Sequence, residues 1–158
     1  MVRTQRTYRV TVNWTGNRGP GTSTYDGYAR DHTIRAGSKP DIPGSSDPAF
    51  RGDHGRWNPE ELLVAAVSAC HKLWYLHLCA DAGIAVLSYR DDAEGTMVED
   101  EAGGKLTHVI LRPQVTVRPG DDTERAKRLH YDAHTRCNIA RSVNFPIECD
   151  PDIVAAQR

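Results

Sequence analysis

The chain has 158 residues, of which 20 are lysine or arginine and 21 are aspartate or glutamate, for a net charge of −1. This length suits a single domain spanning residues 1–158 that buries a substantial core. Because the two signs of charge are mixed along the chain, no basic face is predicted and we expect no nucleic-acid partner.

Two further features of the sequence bear on location. Polar residues interrupt the longest apolar stretch, at positions 59–82, so we expect no membrane span. The first six residues lack the apolar core of a signal peptide. The four cysteines form no C-x-x-C pair, which is typical of thiols in a reducing compartment and not of structural disulfides. We therefore expect a cytoplasmic protein.

The first third of the chain is predicted to be an antiparallel meander. Alternating apolar residues from Tyr8 to Trp14 predict a half-buried strand, and a glycine-rich turn follows it. Short strands are predicted at 22–26 and 28–34. The stretch 37–57 has three prolines and four glycines, and we expect a loop that borders the functional site.

One long helix is predicted over residues 58–80. Asn58 suits its N-cap, and Glu61 completes a capping box three residues later. Nearly every later position is apolar or small, so the helix is predicted to be buried on all sides, and Gly83 ends it. Cys70, in the middle of this helix, would then place a thiol inside the protein.

The second half of the chain repeats the change from strands to a helix. A second antiparallel meander is predicted, followed by a helix from Asp121 to about Cys137 or Ala140 and by a short final strand at 143–149. The strands of this meander are predicted at 84–89, 93–98, 105–111 and 114–118. Segregated helices and antiparallel strands define an α+β fold.

Three motifs together carry a family resemblance. They are Asn58–Leu63 leading to Ala69-Cys70, then Ala133–Cys137 with Ser142-Val143, and Trp14–Gly19 near the start. In this order and spacing, the chain resembles the OsmC/Ohr family of osmotically induced and organic-hydroperoxide-resistance proteins along almost its whole length. The resemblance implies an intertwined homodimer whose antiparallel sheets wrap long central helices that bear the cysteines.

The resemblance also implies an activity and a set of site residues. The activity is that of a thiol peroxidase that reduces organic hydroperoxides to alcohols, with an external dithiol, such as a lipoyl group, as reductant and with no cofactor or metal. Cys70 is the implied nucleophile, and Cys137 is the implied resolving thiol that forms a disulfide with it. Arg18 is implied to favour the Cys70 thiolate, with Glu60 holding the guanidinium in a bidentate pair.

The spacing of two implied site residues poses a geometric question. Glu60 and Cys70 are ten residues apart, which corresponds to about 15 Å along a straight helix. Either the helix breaks after its first turn, or Arg18 and Glu60 approach Cys70 from the other protomer. Both alternatives place the site at a dimer interface.

Other interpretations remain open at this stage. From a different class, the protein could be a non-catalytic dimer that binds a small apolar or electrophilic molecule in the same pocket. Cys79 and Cys149 are interpreted as structural. The role of His71 is open, because many family members have an apolar residue after the cysteine. A metal could bind one helical face together with Cys70, through His130, His134 and Cys137.

Overall fold

The computed structural model describes residues 4–157, which divide into two compact units, one ending at Leu62 and the other beginning at Leu63. The single domain over 1–158 stays a prediction. The described residues form nine strands and two α-helices, with short 3₁₀ helices at Pro48–Phe50 and Ala140–Ser142. In chain order these are β1 Thr11–Trp14, β2 His32–Arg35, β3 Ile42–Gly44, α1 Pro59–Asp81, β4 Val86–Asp91, β5 Glu94–Asp100, β6 Gly103–Leu111, β7 Pro113–Val117, α2 Thr123–Arg136, β8 Ile147–Cys149 and β9 Asp152–Ala155.

The first unit contains one antiparallel sheet in the order β1-β2-β3. The strand predicted at 22–26 is wrong, because that stretch consists of turns and bends. The predicted loop at 37–57 contains β3. Strand β1 was predicted to be half-buried, yet Val12 on it is 61% exposed and Trp14 is 42% exposed. Alternation marks an apolar face that favours burial, and it does not say which surface covers that face.

Helix α1 begins and ends where the sequence predicts. The Asn58 side chain accepts a hydrogen bond from the Glu61 N–H at 2.8 Å, and the Asn58 N–H donates to the Glu61 carboxylate at 3.1 Å, which completes the capping box. At the other end, Gly83 adopts a left-handed φ of 73°, and the Ile84 N–H donates to the Cys79 carbonyl at 2.9 Å. This is the Schellman ending that a glycine at this position favours.

The prediction that α1 is buried on all sides is wrong for the single chain. One stripe of the helix is buried and includes Val67, His71 and Tyr75. The opposite stripe is exposed, and Leu73 on it is 62% exposed. An apolar sequence on every face therefore produces a helix with an uncovered apolar surface in this chain.

The length and composition of α1 also bear on the membrane prediction. Its 23 residues and a mean hydropathy of 1.4 make it long and apolar enough to cross a membrane by those two measures alone, contrary to the expectation from its interrupting polar residues. The same measures are met by core helices of globular proteins. Tyr75, Leu78 and Cys79 of α1 belong to a core cluster with strand and α2 residues.

The second unit contains two mixed sheets, in the orders β4-β7-β9 and β5-β6-β8. Its strands were predicted as a simple meander, which is wrong because β4 pairs with β7 and not with β5. Strands β8 and β9 add to β6 and β7 in parallel, and β9 was not predicted. The observed α+β class agrees with the prediction.

Asp91 lies where the chain passes from one of these sheets to the other. Its carboxylate accepts the Arg112 N–H at 2.7 Å and the hydroxyl of Ser68 on α1. Arg112 lies between β6 and β7, where the chain passes back from the β5-β6-β8 sheet to the β4-β7-β9 sheet. The Asp91 carboxylate therefore links both passages between these sheets to α1, the helix that carries Cys70.

Candidate active site

Two of the predicted site residues lie together in the second unit. Cys70 is half-buried in the middle of α1, whereas Cys137 is 1% exposed at the C-cap of α2. The Cys70 thiol lies near that of Cys137, close enough to be among the causes that raise the pKa of Cys137. Two helices that are far apart in sequence thus bring two thiols near one another, as a reversible disulfide requires.

The surroundings of Cys137 keep its sulfur protonated at neutral pH. Burial and the hydrogen bond with Cys70 raise the pKa of Cys137 to about 11. The Ala140 N–H donates to the Cys137 sulfur at 3.4 Å, which opposes this rise because it favours the thiolate. Of the two thiols, the half-buried Cys70 is the one within easier reach of an incoming molecule.

Arg18 and Glu60 lie in the first unit, each fixed by local structure. The Asn17 side chain accepts the N–H groups of Gly19 and Gly21 at 2.8 and 3.0 Å, and the turn so formed presents Arg18 to solvent. Glu60 is half-buried in the first turn of α1. Among the ion pairs of residues 4–157, none joins Arg18 to Glu60. The predicted bidentate pair is not formed within one chain.

The course of α1 decides one of the alternatives left open by the sequence. The helix runs from Pro59 to Asp81 as a single α-helix, without a break after its first turn. Glu60 and Cys70 are therefore separated by about 15 Å along one axis. A local break that would bring the two side chains together is wrong.

The other two cysteines have different surroundings. Cys79 is 1% exposed and belongs to the hydrophobic core, and its structural interpretation stays a prediction. Cys149 instead lies 3.7 Å from Nε2 of His71 and 3.8 Å from Nδ1 of His130. The structure thus shows a second polar centre that the sequence did not predict.

The metal-ligand side chains that come together among the described residues are His71, His130 and Cys149. The predicted alternative of a helical face formed by His130, His134 and Cys137 with Cys70 is not the grouping observed. His130 takes part, but its partners come from α1 and β8. No spacing in the sequence signals this cluster, because β8 meets the two helices only in the folded chain.

The chain thus has an α+β fold in which a half-buried thiol, that of Cys70, lies near the buried thiol of Cys137. A family model described as OsmC-like protein matches residues 52–152, which include both Cys70 and Cys137. The chain belongs to the OsmC-like family.

Similar proteins are found over nearly the whole chain. Peroxiredoxin OsmC of Escherichia coli (strain K12) is 28% identical over 142 residues, covering 88% of this chain and 91% of that protein. The structure of an OsmC-like protein of unknown function from Vibrio cholerae is 28% identical, with a TM-score of 0.85 over 94% of this chain and 100% of its own. An organic hydroperoxide resistance protein from Elizabethkingia anophelis shares the fold at 20% identity, with a TM-score of 0.68 over 99% and 100% of the two chains.

The raised pKa of Cys137 generates a prediction about stability at high pH. A thiol that ionises near pH 9 when unfolded and near pH 11 when folded stabilises the fold below pH 9, and that contribution is lost as the pH rises toward 11. We expect the free energy of unfolding to fall with pH in this window, by up to about 1.4 kcal/mol per pH unit from this group. The measurement is urea unfolding of the reduced protein at several pH values.

Cys137→Ala should show a shallower pH dependence, since it lacks the titrating group. The matched control is Thr135→Ala, an exposed neighbour on α2, which should keep the wild-type slope. If the free energy of unfolding fell equally with pH in the wild type and in Cys137→Ala, a raised pKa of Cys137 would be contradicted.

Proposed function

We propose that this protein is a thiol peroxidase that reduces organic hydroperoxides to alcohols. The observation that carries the proposal is the proximity of the half-buried Cys70 to the buried Cys137. Support comes from the relatives, which include a peroxiredoxin and organic hydroperoxide resistance proteins by name. The proposed setting is the cytoplasm, where thiols are kept reduced.

In the first step, the Cys70 thiolate attacks one oxygen of the peroxide bond. The O–O bond breaks, the sulfur becomes a sulfenic acid, and the other oxygen leaves as an alkoxide that takes a proton and forms the alcohol. Cys70 is assigned this step because Cys137 is almost fully enclosed and burial raises the pKa of the Cys137 thiol. A cation near the reacting oxygens would stabilise the developing negative charge.

In the second step, the sulfur of Cys137 attacks the sulfur of the Cys70 sulfenic acid. A disulfide forms and water leaves, which protects Cys70 from further oxidation. An external dithiol, of lipoyl type by family resemblance, then reduces the disulfide by two successive thiol exchanges and is itself oxidised.

Arg18 is proposed to supply the cation, with Glu60 orienting it. Since α1 is unbroken, the Glu60 of the same helix is about 15 Å from Cys70 along the axis. The proposal therefore assigns Arg18 and Glu60 to the Cys70 of the other protomer in a homodimer. The exposed apolar stripe of α1, which includes Leu73, supports a second copy as the surface that covers the helix.

Peroxide treatment should link Cys70 to Cys137. We expect peptide mapping after mild exposure to cumene hydroperoxide to recover this disulfide, because the two thiols lie near one another. Cys70→Ser should abolish turnover in a steady-state assay with a dithiol reductant. Cys137→Ser should complete one turnover and then stall or over-oxidise.

The same experiment separates the alternatives. A Cys70 disulfide with Cys79 or Cys149 would remove Cys137 from its role. Cys79→Ala is the matched control, since a buried core thiol should not affect turnover. Binding of an apolar or electrophilic molecule without any turnover would favour the non-catalytic small-molecule-binding protein instead.

Arg18→Ala should slow peroxide reduction by about tenfold or more, because both the thiolate and the leaving alkoxide lose a neighbouring positive charge. Part of the loss is offset, since a more basic thiolate is more nucleophilic. The free energy of unfolding should change by less than about 1 kcal/mol, as expected of an exposed turn residue. Glu60→Ala should slow the reaction in the same direction, but less.

The readouts are the peroxidase rate and the pH dependence of Cys70 alkylation. Arg35→Ala is the control for loss of a surface arginine from the same unit, because its guanidinium pairs with Asp41. If Arg18→Ala leaves both the rate and the alkylation profile unchanged, Arg18 is not part of the site.

The protein should be a dimer in solution, and the exposed stripe of α1 should form part of the interface. Leu73→Glu places a charge on this stripe and should shift the population to monomers in light scattering at low protein concentration. The matched control is Leu87→Glu on β4, since Leu87 has a similar exposure of 59% against 62% for Leu73. A folded wild-type protein that is monomeric would refute the dimer. If Leu87→Glu dissociated the dimer and Leu73→Glu did not, the interface would lie on the face that includes Leu87.

A further inference from the structure

A buried cluster of two imidazoles and a thiol lies apart from the Cys70–Cys137 pair. His71 is 1% exposed on α1 and His130 is 3% exposed on α2, with Nε2 of the first 2.9 Å from Nδ1 of the second. Cys149 at the end of β8 completes a triangle, at 3.7 and 3.8 Å from these two nitrogens. The peroxidase mechanism uses none of these three side chains.

The dimensions of this triangle can be compared with a known coordination geometry. Zinc binds histidine nitrogen at about 2.0–2.1 Å and cysteine sulfur at about 2.3 Å with tetrahedral angles, so its ligand atoms lie about 3.3 Å apart for N···N and about 3.6 Å apart for N···S. Both observed N···S distances agree with this to within about 0.2 Å. The observed N···N distance is shorter by about 0.4 Å.

The short N···N distance reflects a direct hydrogen bond between the two rings. Their planes are within 8° of each other and their centroids are 5.2 Å apart, so the two nitrogens point at one another. A metal ion would replace the shared proton. Small rotations of the two rings would separate the nitrogens by the missing distance and turn both lone pairs toward a point beside the Cys149 sulfur.

Burial of this cluster costs free energy that one internal hydrogen bond offsets only in part. Within residues 4–157, the outer nitrogens Nδ1 of His71 and Nε2 of His130 are buried and have no hydrogen-bond partner. The ring of Tyr75 stacks on His130 at 3.7 Å between centroids, which fixes the imidazole in place. A cation bound by the two inner nitrogens and the Cys149 thiolate would add favourable interactions at this buried cluster and offset part of the cost of burying it.

A cavity connects the cluster to the surface. It has a volume of about 320 Å³, and both His130 and Cys149 line it together with Lys127 and His134. A metal ion held by three protein atoms would therefore have a route of entry. Its fourth coordination position would face the cavity, where a water molecule or another small ligand fits.

The geometry points to a zinc site formed by His71, His130 and Cys149, with its fourth position open to this cavity. Imidazole and thiolate ligands together suit Zn²⁺, whereas Mg²⁺ and Ca²⁺ prefer oxygen ligands. On binding, Cys149 releases its thiol proton to solvent, and the proton shared between the two inner nitrogens moves to the outer nitrogen of its own ring, so that both neutral histidines bind the metal through their inner nitrogens. The inference is independent of the peroxidase proposal, because the metal site and the Cys70–Cys137 pair share no residue.

The test uses the reduced full-length protein with Zn²⁺, and with Co²⁺ as a spectroscopic substitute. We expect one Zn²⁺ per chain after dialysis, and a Co²⁺ spectrum with tetrahedral d–d bands and a thiolate-to-cobalt charge-transfer band. Cys149→Ala should remove the charge-transfer band and weaken binding by at least about 100-fold, since losing only an outer-shell partner costs 10–100-fold. Cys149→Ser should also lose the charge-transfer band.

Two controls make the outcome decisive. His77→Gln removes an exposed histidine from the same helix and should leave metal binding unchanged. A double variant, Cys70→Ser with Cys137→Ser, should still bind one Zn²⁺. Loss of zinc in the double variant, with binding retained in Cys149→Ala, would assign the metal to the peroxidase thiols and overturn the inference. The inference would also be overturned if the wild-type protein bound no Zn²⁺, or bound only Cu²⁺.

Misfolding of a cluster variant is distinguished by circular dichroism. The unfolding temperature supplies an independent measure, since Zn²⁺ should raise it in the wild type and in His77→Gln but not in folded Cys149→Ala or Cys149→Ser. An equal rise in all four proteins would show that zinc binds elsewhere and would refute the site.

Discussion

The uninterrupted course of α1 is the constraint on which the rest of the structure depends. Reciprocal hydrogen bonds between Asn58 and Glu61 fix its first turn, and the left-handed Gly83 fixes its end. Between these points the helix has no break, so Cys70 and His71 occupy set positions along it in the second unit. The same continuity keeps Glu60 away from Cys70 of its own helix, which makes a second protomer the natural source of the charged groups in the proposed mechanism.

Burial raises the pKa of both Cys137 and Cys149, and a different neighbouring group adds to the rise at each thiol. It raises the pKa of Cys137 to about 11, where the second large influence is the hydrogen bond with Cys70. It raises the pKa of Cys149 to about 12, with the negative charge of Asp91 as the next cause. Desolvation alone makes a thiol inert. In the two proposals, the chemistry of each centre therefore depends on the electrophile that the thiol meets, which is the oxidised Cys70 sulfur for Cys137 and a metal cation for Cys149.

The parts of the fold that could be predicted from sequence are those with local causes. The capping box of α1, its glycine ending and the Asp122 cap of α2 each involve residues within a few positions of one another. Strand pairing is non-local, and for this reason β4 was assigned to the wrong neighbour and β9 was missed. Alternation in β1 predicted an apolar face correctly without indicating whether this chain covers it.

The same distinction between local and non-local causes applies to the residues of the candidate site. Cys70 and Cys137 were predicted from motifs, and the structure brings them together, whereas no spacing in the sequence connects Cys149 with His71 and His130. Parallel pairing of β8 with β6 carries Cys149 to this position, and such a pairing leaves no periodic signal. The sequence assigned helical spacing to His130, His134 and Cys137, but a shared helix face does not determine which neighbouring elements supply the remaining ligands.

The two centres are adjacent in sequence on α1 and yet remain separate, because successive side chains of an α-helix point about 100° apart. Cys70 therefore meets Cys137 at the end of α2, while His71 meets His130 seven residues earlier, about 10 Å along that helix. Cys137 lies at the C-cap of α2, beyond the turn that holds His130. In the proposed mechanism the disulfide therefore forms about two helical turns away from the ring of His130, which packs against Tyr75.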